Sequence, residues 1–83
     1  MQDIPFRRYL EGHTTLGSAS INDALSRVRR WEKSFNCDLD DYLDHHSLDA
    51  AVDRCRHIPS NSPRSIHDVR TALRHYSQFR ETP

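Results

Sequence analysis

The sequence predicts an all-α fold: one small bundle of four helices, a short first helix and three longer ones. Three observations predict it. Only two glycines and four prolines interrupt 83 residues. Apolar residues recur at i, i+3, i+4 and i+7 in separate stretches, and no alternating strand pattern competes with them. The chain is 35% hydrophobic and 29% charged, which suits helices with one narrow buried stripe and a wide polar surface. A chain this short makes a single domain, 1–83, with an ordered core over about residues 4–79, near the lower limit for burying a self-sufficient core.

The opening IPFRRYLEGH predicts a short helix over residues 5–10, with Pro5 in its first turn and Gly12 as its stop. TTLGSAS then leads to Ser20, read as the N-cap of a second helix over residues 21–35, with Asp23 in the capping-box position. Its apolar stripe is Ile21, Ala24, Leu25, Val28, Trp31 and Phe35. NCDLDDYLDHHS reads as an acidic linker with one short turn facing Leu39, Tyr42 and Leu43 inward. Ser47 caps a third helix with the stripe Leu48, Ala51, Val52, Cys55 and Ile58, ended by Pro59. Residues 59–64 read as a loop. Ser65 is the expected cap of the last helix, whose inner face is Ile66, Val69, Ala72, Leu73, Tyr76 and Phe79. Its outer face offers Arg64, His67, Arg70, Thr71, Arg74, His75 and Gln78.

Formal charge is zero, so no whole-molecule field draws in nucleic acid. The charges are unevenly laid out, however. Residues 36–53 hold Asp38, Asp40, Asp41, Asp44, Asp49 and Asp53 without a lysine or arginine. Of twelve basic residues, all but Lys33 are arginine, the side chain fitted to planar contact with phosphate or carboxylate. Solvation of helix faces and pairing with the aspartates is the competing account of those arginines. Two cysteines are too few for a disulfide scaffold, and neither a signal peptide nor a membrane span is recognisable, so the expected setting is the reducing cytoplasm.

The second and last helices share a motif. SIND at 20–23 returns as SIHD at 65–68, and VRRW at 28–31 returns as LRHY at 73–76. Good caps are a small menu, which accounts for the openings. It does not account for a basic pair followed by a large aromatic residue at the same distance in both.

Taken whole, the FRRYL helix, SINDALSRVRRWEKSF, DLDDYL and the closing SPRSIHDVRTALRHYSQF resemble the core-binding domain of tyrosine recombinases and phage integrases. That family's domain is a SAM-like orthogonal four-helix bundle that also precedes other DNA-processing enzymes. The resemblance covers residues 4–79 and implies two helical hairpins, packed across one another, that clamp one side of double-stranded DNA. It implies contacts to backbone and major groove from Ser18, Ser20, Arg27 and Arg30 on the second helix, and from Arg64, Ser65, Arg70, Thr71 and Arg74 on the last. It further implies a role in recombination as the targeting part of a larger enzyme or system. Independently of the family, helix N-termini with serine hydroxyls suit phosphates, and arginine adds charge-assisted bonds. Such contacts are salt-sensitive and weakly sequence-selective. None of the recombinase's catalytic Arg, His and Tyr signature is identifiable, so the expected protein is not an enzyme and has no small-molecule substrate.

Other chemistries are weaker. Cys37, His45, His46, Cys55 and His57 form C-x7-H-H-x8-C-x-H, which matches no zinc pattern, and DLDDYLD lacks the glycine turn and terminal glutamate of a calcium loop. No metal or cofactor is expected. Trp31 and Tyr76 lie on apolar stripes and read as core rather than as base-stacking groups. The rival reading is a protein-binding adaptor or phage-type inhibitor, docking by charge complementarity through the acidic 38–44 segment or through the arginine-rich face.

Overall fold

Five α-helices and one 3-10 turn form in a computed structural model that describes residues 1–60 and 62–82. No strand occurs among the described residues. Asn61, in the expected 59–64 loop, lies outside them. The helices are α1 (Asp3–His13), α2 (Ser18–Phe35), α3 (Leu39–His45), α4 (Leu48–Arg54) and α5 (Pro63–Glu81), with the 3-10 turn Cys55–His57 following α4. The expected acidic linker is thus a fifth helix, and the bundle has five α-helices rather than four.

Local chemistry explains that difference. Asn36 adopts the left-handed conformation at φ 50°, one that asparagine tolerates better than most residues, and it stops α2 sharply. Asp38 then caps α3 by accepting the Asp41 N–H at 3.2 Å. Asp40 and Asp41 occupy the first turn, where carboxylates complement the helix dipole. Glu32 of α2 accepts the Leu39 N–H at 2.8 Å, and Leu39 is fully buried. A run that looks soluble and irregular by composition is therefore a capped helix with an apolar anchor.

The other starts shift as well. Helix α1 begins at Asp3 and continues helically through Gly12, which has no positive φ and does not act as a stop. Helix α2 begins at Ser18 with Gly17 as its N-cap, and α5 at Pro63 with Ser62, neither with a side-chain cap bond. Ser20 and Ser65 therefore lie inside their helices, and no capping box forms at either copy of the repeat. Ser47 does cap α4, accepting the Ala50 N–H at 3.1 Å.

Helices α2 and α5 are the central pair; α1 packs on both, α4 and the 3-10 turn on α5, and α3 on α2 and α4. Their shared core includes Phe6, Leu10, Leu25, Val28, Trp31, Leu39, Cys55, Val69, Leu73 and Tyr76, with no buried polar or charged residue type among the described residues. The polar tips of the core aromatics are satisfied: Trp31 Nε1 donates to the Ala51 carbonyl at 3.2 Å. The Tyr76 hydroxyl accepts the Gln2 N–H at 2.8 Å and donates to Asp40 at 2.7 Å. Both rings are fully buried and unavailable for stacking on a base. The radius of gyration, 12.0 Å, is that of a compact domain of this length. No described helix is long and apolar enough to cross a membrane.

Candidate nucleic-acid interface

The repeat serves first to join the two long helices. Arg27 lies 3.6 Å from Asp68, and Arg30 donates to Ser65 Oγ at 2.7 Å. Moving three residues forward on α2 moves three residues back on α5, so the helices run in opposite directions along this seam. Arg30 of the first copy thereby meets the Ser of the second, and Arg27, just ahead of VRRW, meets its Asp, while Arg29 pairs with Asp3 of α1. Arg27 is also 3.9 Å from Asp23, and Arg30 donates to the Pro59 carbonyl at 2.8 Å. These two arginines brace α5.

The nine sequence-predicted residues therefore divide. Ser18 is exposed in the first turn of α2. Ser20, Arg27 and Thr71 line one cleft of about 170 Å³ between α2 and α5, together with Asp68 and His75. Arg30 and Ser65 are bonded to each other further along the seam. Arg70 is half-buried on the α4 side, where Nε donates to the Val52 carbonyl at 3.3 Å. Arg64 and Arg74 are exposed, and neither forms an ion pair among the described residues. The guanidinium groups do not all converge: Arg27 and Arg30 of α2 turn inward to the seam, Arg70 turns to α4, and Arg64 and Arg74 remain toward solvent.

What the fold does bring together is one outer stripe of α5. Arg64, His67, Thr71, Arg74 and Gln78 follow at spacings of three and four, hence on one side of the helix. All are exposed except Thr71, which is half-buried and donates to the His67 carbonyl at 3.1 Å. The stripe runs about 21 Å at 1.5 Å per residue and contains no acid. Arg70 flanks it on one edge, and His75 and Asp68, the latter facing Arg27, on the other. Burial pushes the Cys55 thiol up, and the nearby Arg70 and Arg74 charges pull it back only in part.

The acidic segment faces the opposite charge within the chain. Asp38 and Glu32 hold the Met1 ammonium, and Asp40 and Asp44 hold Arg80, the latter at 2.5 Å. The ammonium bond, with help from the Asp41 N–H, holds the Asp38 carboxyl below its ordinary range against the opposing effect of burial. Of the aspartates in 38–44, only Asp41 has no ion-pair partner among the described residues. Sequence reasoning missed Asp68 as the partner of Arg27. The equal three-residue spacing of 27/30 and 65/68 was the available signal.

No three His, Cys, Asp or Glu side chains gather in a metal-holding arrangement among the described residues. Compared with protein-family models, curated proteins and solved structures, the chain matches none.

Proposed function

We propose that the chain is a double-stranded DNA-binding domain that presents the outer stripe of α5 to the major groove. The reading includes the SAM-like arrangement and the targeting role in a DNA-processing system that the integrase resemblance implies, and the cytoplasmic setting expected from the cysteine usage. The observation that carries it is the acid-free run Arg64, His67, Thr71, Arg74 and Gln78 on a 19-residue helix. Side chains of these types are the ones that meet phosphates and base edges. Arg27 and Arg30 support α5 in this account instead of contacting DNA themselves. Protein docking through the 38–44 segment draws less support, because Asp38, Asp40 and Asp44 are engaged by cations of the same chain.

With two phosphate-neutralising arginines, Arg64 and Arg74, affinity falls about 12-fold between roughly 50 and 200 mM salt. A fluorescence-anisotropy titration with a labelled duplex tests this. The expected result is binding at low salt that Arg64→Glu with Arg74→Glu abolishes, while the circular dichroism spectrum is unchanged. Absence of duplex binding at low salt, or binding indifferent to those reversals, contradicts the proposal.

A further inference from the structure

Gly12 and Ile4 are left without a role by the fold and by the DNA reading. Gly12 sits in regular helix, and a Cβ added there would meet nothing within 4 Å. Neither backbone conformation nor packing within the chain calls for a residue that weakens helices relative to alanine. Ile4, 65% exposed, is the one exposed large hydrophobic side chain among the described residues. Beside them lies a groove of about 260 Å³ between α1 and the end of α5. Tyr9 and Phe79, with ring centroids 5.7 Å apart, line it, as do Pro5, Arg8, Gly12 and His13.

We infer that α1 is a self-association face, on which the groove of one molecule receives Ile4 of a second copy of this chain. The two α1 helices pack antiparallel about a two-fold axis near Arg8. Knob and hole belong to the same helix, eight residues or about 12 Å apart at 1.5 Å per residue. A two-fold axis between them sets each Ile4 opposite the other copy's Gly12, giving two equivalent insertions, as an isologous interface requires. The absent Cβ at Gly12 lets the helices approach closely. Charge agrees with the same arrangement. Arg8 and Glu11 are exposed on this arc, and neither has an ion-pair partner among the described residues. A two-fold near Arg8 sets the two Arg8 side chains side by side, with Glu11 of each copy about one turn from the other copy's Arg8, so one Arg8–Glu11 contact forms twice and the two carboxylates offset the paired guanidiniums. A second copy supplies every one of these groups without a further partner. Phe6 of α1 packs on Tyr76 and Phe79, on the inner side of α5. The outer stripe of α5 therefore stays open in the dimer, and the inference stands apart from the DNA reading.

Analytical ultracentrifugation of the 83-residue chain, from micromolar to millimolar concentration and without DNA, is the test. The mass is expected to rise from that of the 9.8 kDa monomer toward twice that value. Ile4→Asp and Gly12→Gln, both pointing into open space, each hold the chain monomeric with helix content unchanged. Arg8→Glu or Glu11→Arg alone raises the dissociation constant by about tenfold, and the double exchange restores it. A chain that stays monomeric at millimolar concentration overturns the inference. So does a dimer indifferent to Ile4→Asp and Gly12→Gln, or a double exchange that fails to rescue.

Discussion

Tyr76 joins three distant parts of the chain through one hydroxyl. Its oxygen takes the Gln2 N–H and gives its proton to Asp40, while its ring packs edge-on against Phe6 with centroids 4.8 Å apart. Burial first, and then the Asp40 hydrogen bond, push the phenol well above its ordinary pKa, with the Gln2 bond opposing them. The group remains a neutral donor. Tyr76→Phe keeps the ring but leaves a backbone N–H and a carboxylate without their partner. We expect it to lower unfolding free energy by about 1–3 kcal/mol, measured by urea denaturation with an unchanged folded-state spectrum. The aromatic stripe of the sequence revealed that Tyr76 and Trp31 are core residues. Their hydrogen-bond partners were not legible, because Asp40 and Ala51 lie far away in the chain and meet them only through tertiary packing.

At the scale of elements, periodicity made α2 and α5 readable. The stripe expected to continue one longer helix to Ile58 instead gives α4, which ends at Arg54 and is shorter than α1, followed by the 3-10 turn Cys55–His57. Helix starts were less readable. Serine followed by an acid three residues later signals a cap only where the chain turns at that serine. At Ser20 and Ser65 it does not, because Gly17 and the Ser62–Pro63 step begin the helices earlier. Helix α3 was hidden by its acidity, although acids at the cap and first turn favour a helix. Ser47→Ala should therefore cost about 1 kcal/mol by loss of a working cap, whereas Ser20→Ala should change stability by no more than about 0.5 kcal/mol. Thermal or urea melts of the two variants side by side distinguish a capping serine from one within a helix. Equal losses at both positions would contradict these helix boundaries.

For the whole molecule, zero net charge conceals a division of labour. The acidic α3 turns toward the Met1 ammonium and Arg80 of α5, Arg27 and Arg30 of α2 turn toward Asp68 and Ser65, and Arg64 and Arg74 of α5 stay outside. The sequence named the arginines but could not say which would remain available. That depends on how α2 and α5 align, and their antiparallel register consumes Arg27 and Arg30 while sparing Arg64 and Arg74. The candidate interface is thus narrower than the two-helix surface implied by the integrase resemblance, and it includes His67 and Gln78.

Amide chemical-shift mapping by NMR, with an unlabelled duplex added at low salt to the isotope-labelled chain, tests this division most directly. The account predicts the largest perturbations along the α5 stripe from Arg64 to Gln78, with α3 and the Ile4–Gly12 groove little changed. Perturbations centred on α3 or scattered without reference to α5, or none at all, would contradict it.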